Sequence, residues 1–259
     1  MSLVDIVVVT GAGRGIGKAI ALELGSKNIP VLCISKSNNA EITAEDICAR
    51  GGKAESLKVD LIDYKNTESV IKDWASKTSY KRFGVVLAAA ILGPKGPLTD
   101  CDLSLWDDSH KANILGNLAV LKSCLPTMLK NKFGRIITFA GGGAAYANPA
   151  FPAYSATKTA TVRITENIYE DLQGKGDFLI VCLGPGAVET DMLMEFRSGG
   201  GQVKTTTNIN EPVSFVSEFM NAKMCSFSGR FVHIRNEWRE HINSDKILEN
   251  DIWKLRRIE

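Results

Sequence analysis

The chain has 259 residues, of which 44% are hydrophobic and 23% charged, with a formal net charge of +2. This composition predicts a globular protein with a substantial core, and the balanced charge excludes a strongly basic protein that binds nucleic acid or an anionic membrane. Six scattered cysteines and three scattered histidines predict reduced thiols and no metal site.

The chain opens without a basic segment followed by an apolar stretch, so we expect no signal peptide. The longest apolar run, 85–92, is too short to span a bilayer. With the reduced cysteines, these features predict a cytoplasmic protein.

The first predicted strand, 3–9, runs into the turn Thr10-Gly11-Ala12-Gly13-Arg14-Gly15-Ile16-Gly17 and then into a helix over 18–27. A strand, a glycine turn and a helix in this order place a pyrophosphate on the helix N-terminus. The spacing Gly-x-x-x-Gly-x-Gly differs from the Gly-x-Gly-x-x-Gly fingerprint, and a glycine turn that binds nothing is the alternative. The residues predicted to bind a dinucleotide here are Gly11, Arg14, Gly15, Ile16 and Gly17.

The second predicted strand, 31–35, ends where the adenosine ribose of a dinucleotide would lie. A carboxylate at this position would accept from the ribose 2′-hydroxyl and favour NAD. The chain instead offers Ser35 and Lys36, with Arg14 in the glycine turn. Two cations suit a 2′-phosphate, so NADP is favoured and NAD is possible. Lys36 as a solvated loop residue is the alternative.

Strands and helices continue to alternate. Further strands are predicted over 54–59, 84–90, 135–140 and 178–183, and helices over 40–50, 67–77, 103–130 and 153–173. These repeats predict an α/β fold, a single Rossmann-like domain over 1–259 with a doubly wound parallel sheet of about seven strands and helices on both faces. Ligands would bind at the carboxyl ends of the strands.

The pattern loosens after Pro185. We predict that 187–210, with its glycines 199–201, is a mobile loop that covers the substrate. Asn210 is predicted to cap a helix that begins near Pro212, and a last strand is predicted over 229–234. The charged tail, 235–259, could pack on a neighbouring subunit or on the site.

Tyr154 and Lys158 are one helical turn apart on the predicted helix 153–173. An ammonium beside a phenol lowers its pKa from about 10 toward neutrality, so the pair predicts a proton-transfer device. A half-buried tyrosine with a solvated lysine is the alternative. Asn113 stands in the middle of the helix 103–130, where asparagine is unfavourable. Its position indicates a local role, against the alternative of a surface asparagine.

With these residues in view, the chain resembles the short-chain dehydrogenase/reductase family over nearly its whole length. Thr10-Gly11-x-x-x-Gly15-x-Gly17 is similar to the cofactor motif of that family, and Tyr154-x-x-x-Lys158 to its catalytic pair. The resemblance implies that Asp60 and Leu61 contact the adenine and that Asn113 is the helix-borne catalytic asparagine. It also implies that Pro185, Gly186, Val188 and Thr190 hold the nicotinamide carboxamide.

The chain departs from the family pattern in two places. The family carries Asn-Asn-Ala-Gly where this chain reads Ala88-Ala89-Ala90-Ile91, which loses side-chain hydrogen bonds to the sheet but leaves the backbone of Ala89 to line the cofactor. The catalytic serine position holds Gly141, and the nearby hydroxyl is that of Thr138. Loss of one donor to the substrate oxygen typically costs about 100-fold in rate. The serine could be replaced by a backbone N–H of the glycines 141–143 or by a hydroxyl of the substrate. The alternatives are a slow enzyme and a protein that is no longer an oxidoreductase.

The resemblance implies an NADP-dependent carbonyl reductase or alcohol dehydrogenase that acts on a carbonyl or hydroxyl compound. A sugar or sugar derivative fits the open glycine-rich site, and the tail sequence 253–257 is similar to that of members that modify sugars. A catalytically weak NADP-binding sensor or assembly protein is the alternative. The resemblance also implies a homodimer or homotetramer assembled through the helices near 103–130 and 153–173.

Overall fold

A seven-stranded parallel sheet forms the centre of the protein, whose computed structural model describes residues 2–256. The strands are β1 Ile6–Thr10, β2 Val31–Ser35, β3 Ala54–Lys58, β4 Phe83–Leu87, β5 Phe133–Phe139, β6 Asp177–Gly184, β7 Ala187–Val188, β8 Thr206–Thr207 and β9 Phe231–His233. The spatial order in the large sheet is β3-β2-β1-β4-β5-β6-β9, and β7 pairs with β8 separately. The order reverses between β1 and β4, which opens a crevice at their carboxyl ends. The predicted doubly wound sheet is confirmed.

Helices cover both faces of this sheet. They are α1 Gly15–Ser26, α2 Asn39–Ala49, α3 Tyr64–Lys77, α4 Leu103–His110, α5 Asn117–Lys130, α6 Pro152–Leu172, α7 Asp191–Ser198 and α8 Asn210–Met220. Successive strand residues point to opposite faces, so Val7 and Val9 pack with α1, α2 and α8, while Ile6 and Val8 pack with α3 and α5. Because both faces are covered, the central strands β1, β2 and β4 are nearly continuous apolar runs, as the sequence indicated, whereas the edge strand β3 carries Glu55 and Lys58.

The predicted helix 103–130 begins and ends at the predicted residues, but it is not α-helical throughout. A π-helical segment, Lys111–Gly116, separates α4 from α5. A Cβ on Gly116 would clash with the carbonyl of Leu61, so the helix passes very close to the segment after β3. π-Helical turns are frequent at functional sites, and Asn113 lies inside this one.

The segment 187–210, predicted as a mobile loop, contains regular structure. It holds β7, α7 and β8, and the hydroxyl of Thr190 caps α7 by accepting from the amide of Leu193 at 3.4 Å. The predicted cap at Asn210 is wrong, because Asn210 is the first residue of α8. The side chain of Asn208 accepts from the Asn210 amide at 2.9 Å instead.

The tail after β9 packs on its own chain. Trp238 is 1% exposed and meets the ring of Phe215 edge-on with centroids 4.6 Å apart. The amide of Phe231 in β9 donates to the carbonyl of Trp253 at 2.8 Å, and Arg256 pairs with Glu166 of α6 at 3.1 Å. The tail therefore completes the core beside α6 and α8. In the segment 253–257, whose sequence is similar to that of family members that modify sugars, position 257 lies outside the described residues.

Residues 2–256 contain no helix that is both long and apolar enough to cross a membrane.

Candidate active site

A cleft of about 440 Å³ opens at the carboxyl ends of β1 and β4, where the strand order reverses. It brings together many of the predicted cofactor residues: Gly11, Arg14, Gly15, Ile16, Gly17, Ser35, Lys36, Asp60, Leu61, Ala89 and Thr190. The predicted Tyr154, Lys158, Pro185, Gly186 and Val188 are not among its lining residues. Its wall also includes residues that were not predicted: Ser37, Asn39, Val59, Ile62, Ala112, Asp191 and Met192.

The glycine turn at the cleft has the geometry that a pyrophosphate requires. Gly15 has φ of +54°, a left-handed conformation that favours glycine. A Cβ on Gly17 would clash with the carbonyl of Gly11, so strand and helix approach more closely than a side chain allows. Among the described residues no side chain caps α1, and its first amides are available to phosphate oxygens. The turn therefore fits a dinucleotide.

The adenosine end of the cleft is polar and without a carboxylate at the end of β2. The hydroxyl of Ser35 donates to the carbonyl of Ser37 at 2.7 Å and accepts from the Ala40 amide at 3.1 Å, which shapes the loop that carries Lys36. Arg14 lies 3.9 Å from Asp191 across the cleft, with both side chains more than half exposed. Such an exposed pair is weak, so the Arg14 guanidinium is free to bind another anion.

Tyr154 and Lys158 share one face of α6, and the ammonium lies 5.3 Å from the centroid of the tyrosine ring. The amine donates to the carbonyl of Phe139 at 2.8 Å, and its burial lowers the pKa of Lys158 to about 8. Burial raises the pKa of Tyr154 to about 12. The expected lowering of the tyrosine pKa by Lys158 is therefore wrong for this arrangement. The amine faces the ring and a carbonyl rather than the hydroxyl.

Asn113, 5% exposed, connects the cleft to α6. Its side-chain oxygen accepts from the amide of Ile91 at 2.8 Å, and its amide group donates to the Ile91 carbonyl at 2.9 Å and to the Thr157 hydroxyl at 3.1 Å. Thr157 in turn donates to the carbonyl of Tyr154 at 2.7 Å. Ile91 lines the cleft, so this network links the helix that carries Tyr154 and Lys158 to the cleft wall. The alternative of a surface asparagine is excluded.

The alanine-rich segment after β4 is held by two residues that sequence reasoning missed. The amide of Asn117 donates to the carbonyl of Ala89 at 3.0 Å, and the Thr10 hydroxyl accepts from the Ala89 amide at 3.1 Å. Thr10 also donates to Asn117 at 2.8 Å. Thr10 and Asn117 thus brace the backbone of a segment whose alanines offer no side-chain hydrogen bond of their own. The signal was available: Asn117 lies one helical turn after Asn113.

Gly141 has extended backbone, with φ −175° and ψ −177°, and a Cβ there would meet no atom within 4 Å. The hydroxyl of Thr138 cannot serve this position, because it is buried and lies 2.7 Å from the hydroxyl of Thr165. Ser155, which was not predicted, faces the neighbouring Gly143. The site has room for a serine at 141 but contains none.

The chain matches the model of the protein family described as short chain dehydrogenase over residues 5–200. The chain belongs to the short-chain dehydrogenase family. A short chain dehydrogenase of Pseudocercospora fijiensis is 28% identical over 188 residues, 71% of this chain and 60% of that relative. A 3-oxoacyl-(acyl-carrier-protein) reductase of Staphylococcus aureus is 27% identical over 194 residues, 74% of this chain and 78% of the relative.

The fold agrees with a solved structure described as an NAD(P)-dependent gluconate 5-dehydrogenase of Beutenbergia cavernae with bound NADP. The TM-score is 0.81 at 24% identity, over 92% of this chain and 98% of that chain. The short-chain dehydrogenase match runs from β1 through α7 and includes Asn113, Tyr154 and Lys158, whereas α8, β9 and the tail lie beyond it. The protein is thus an oxidoreductase of this family, and its cleft fits a nicotinamide dinucleotide.

Proposed function

We propose that the protein is an NADP-dependent carbonyl reductase or alcohol dehydrogenase. One observation carries the proposal: the Asn113 network joins Ile91, in the wall of the dinucleotide cleft, to Thr157, between Tyr154 and Lys158. A proton-exchanging phenol beside a dinucleotide cleft is the arrangement that hydride transfer to a carbonyl requires.

Each residue of the site has a role in this reaction. A nicotinamide cofactor held in the cleft would supply or accept the hydride. Tyr154, with its pKa raised to about 12, is a neutral phenol at pH 7 and can donate its proton to the carbonyl oxygen during reduction. Lys158, with a pKa of about 8, remains mostly protonated at that pH. Its charge, 5.3 Å from the centroid of the tyrosine ring, would stabilise the phenolate through space without a hydrogen bond to the hydroxyl, and the amine would hold the nicotinamide ribose. Asn113 fixes the helix that carries both and is proposed to position a water that links Lys158 to solvent.

The preference for NADP follows from the adenosine end of the cleft. Lys36 and Arg14 are the cations there, and both have exposed side chains. Ser37 and Asn39 line the same end and add polar groups for a 2′-phosphate. The similar solved structure described as a gluconate 5-dehydrogenase carries NADP. The carboxamide of the nicotinamide would meet Pro185, Gly186, Val188 and Thr190.

The substrate is proposed to be a carbonyl or hydroxyl compound, with sugar derivatives as the first class to test. The relatives' names add two further chemistries, a 3-oxoacyl thioester and a sugar acid. The segment of β7, α7 and β8 would cover this substrate, because Thr190, Asp191 and Met192 line the cleft.

The protein is also proposed to act as a cytoplasmic homodimer or homotetramer. Large apolar side chains are exposed on and between α4 and α5: Leu103 69%, Leu105 48%, Leu115 40% and Leu129 39%. Such a row is suited to burial against a second copy. Light scattering that finds a monomer at micromolar concentration would contradict this part of the proposal.

The proposed activity is tested with NADPH and a panel of a ketose, a keto sugar acid, a 3-oxoacyl thioester and a cyclic diketone. Wild-type protein should oxidise NADPH with at least one of them. Tyr154→Phe keeps the ring and removes the proton, so kcat/KM should fall about 100-fold or more while NADPH binding persists. Equal rates in the two proteins would remove Tyr154 from its role.

A further inference from the structure

A short 3₁₀ turn, Gly142–Ala144, follows β5 and packs against the start of α6. The hydroxyl of Thr159, which donates to the carbonyl of Ser155 at 3.0 Å, also lies 3.4 Å from the carbonyl oxygen of the last residue of the turn. A Cβ on Gly143 would lie 2.7 Å from the hydroxyl oxygen of Ser155. Just before the turn, Lys158 donates to the end of β5. The turn therefore lies against the part of α6 that carries the catalytic pair.

The first two amides of this turn have no acceptor. Within residues 2–256, the N–H groups of Gly142 and Gly143 donate to no protein atom. Later residues make the bonds of the turn: the Ala144 amide donates to the carbonyl of Gly141 at 2.9 Å, and the Ala145 amide donates to that of Gly142 at 3.1 Å. Successive free amides in a turn form a concavity that binds negative charge.

A buried hydroxyl beside the turn points to the same use. Ser155 is 9% exposed, and its hydroxyl has no hydrogen-bond partner in the part of the chain that the structure describes. Because an unpaired buried hydroxyl is destabilising, folding alone does not favour a serine here. Its oxygen faces Gly143, so unsatisfied polar groups from two elements converge on one turn.

We propose that the amides of Gly142 and Gly143, backed by the hydroxyl of Ser155, bind the carbonyl oxygen of the substrate alongside Tyr154. The proposal rests on the reductase function proposed above. The substrate carbonyl accepts a hydride from NADPH at carbon, which oxidises the cofactor, and a proton from Tyr154 at oxygen. Tyr154 then regains a proton from solvent. Fixed N–H dipoles stabilise the charge that develops on oxygen during this step, and Ser155 is a positioning residue behind them.

The Gly142 N–H can be removed by Gly142→Pro, with Gly142→Ala as the matched comparison. A Cβ at this position meets no atom within 4 Å, the φ of a 3₁₀ turn suits proline, and the extended backbone of Gly141 suits the residue before it. Alanine fills the same space but keeps the N–H, so the ratio of the two variants isolates the donor. With a panel compound that wild type reduces, kcat/KM should be about 100-fold lower for the proline variant than for the alanine variant.

A serine at position 141 provides the second test. In the Gly142→Pro background, Gly141→Ser should raise kcat/KM by about tenfold or more, because the new hydroxyl replaces the lost donor. In the otherwise wild-type chain it should raise kcat/KM by less than about threefold, because the amides already supply the donors. If circular dichroism shows that Gly142→Pro does not fold, Gly141→Ser alone decides. A gain of about 100-fold in the wild-type background would mean that the site lacks a donor and would overturn the inference.

The outcomes separate this inference from the function on which it rests. A wild-type protein that reduces no panel compound overturns both. Equal kcat/KM in the two Gly142 variants, in an enzyme whose turnover depends on Tyr154, overturns the inference alone. Ser155→Ala should lower kcat/KM without lowering the unfolding midpoint in urea, because it removes an unpaired buried hydroxyl. Unchanged kcat/KM would remove Ser155 from the positioning role.

Discussion

Replacing Lys158 with methionine should make the cofactor-free protein more stable while it abolishes the activity. Lys158 is 5% exposed, and burial lowers the pKa of its amine from 10.5 to about 8. That change corresponds to about 3 kcal/mol of destabilisation by the buried charge. Methionine removes the charge and keeps a similar volume, but leaves the Phe139 carbonyl without its donor, which costs about 1 kcal/mol. The net gain should be about 2 kcal/mol, or about 5 °C in Tm.

The pH dependence shows whether this gain comes from the charge. Because the folded pKa of Lys158 is the lower one, the unfolded chain binds more protons between pH 8 and 10.5. The stability of wild type relative to Lys158→Met should therefore rise through that range. The advantage of Lys158→Met should be largest below pH 8 and should vanish near pH 10. Above pH 10.5 wild type should be the more stable protein by about 1 kcal/mol, because only the lost hydrogen bond to Phe139 then separates the two.

The assay is urea unfolding of the cofactor-free protein at a series of pH values, followed by circular dichroism. Lys53→Met serves as the control, because Lys53 is exposed and its replacement should change the free energy of unfolding by less than about 0.5 kcal/mol at every pH. If Lys158→Met were no more stable than wild type at pH 7, or if the difference did not change with pH, the buried ammonium would not be what destabilises the wild-type protein.

Three further predictions follow from the site. The pKa of Tyr154 can be measured from the tyrosinate absorbance of wild type minus that of Tyr154→Phe. It should be about 12 without cofactor and lower with NADP+, because the positive charge of the ring favours the phenolate. A pKa that NADP+ leaves unchanged would count against proton exchange. Lys36→Ala should weaken NADPH binding about tenfold and NADH binding less than about twofold, whereas equal losses would contradict a 2′-phosphate contact. Asn113→Ala leaves the Ile91 backbone and the Thr157 hydroxyl without partners, so urea unfolding should show a loss of about 2 kcal/mol; no loss would mean that the network is not stabilising.

The sheet and the glycine turn could be predicted because their signals are local. Buried parallel strands appear as continuous β-branched runs. The glycines of the first turn are each required by the local backbone: Gly15 has a positive φ, and a Cβ on Gly17 would clash with the carbonyl of Gly11. By contrast, β7 and β8 are two-residue strands in which Ala187 pairs with Thr206. Nothing local marks either residue as a strand, and the pairing exists only once the chain has folded.

The details of the site depended on tertiary contacts. Thr10 and Asn117 are 107 positions apart and meet through one hydrogen bond, so no short pattern joins them. The spacing of Tyr154 and Lys158 predicted a shared helix face, but not that the amine would turn to the carbonyl of Phe139. The pKa of each group is set by burial, which spacing does not encode.

In the proposed reaction, hydride passes between a nicotinamide and a carbonyl carbon while Tyr154 exchanges the proton. NADPH carrying deuterium at C4 of the nicotinamide, incubated with the carbonyl panel, tests it most directly by mass spectrometry of the product alcohol. With wild type, we expect deuterium on the former carbonyl carbon. With a Tyr154→Phe protein that still binds NADPH, the labelled alcohol should form at least about 100-fold more slowly. If the protein bound NADPH but transferred deuterium to no panel compound, it would be a dinucleotide-binding protein and not a carbonyl reductase.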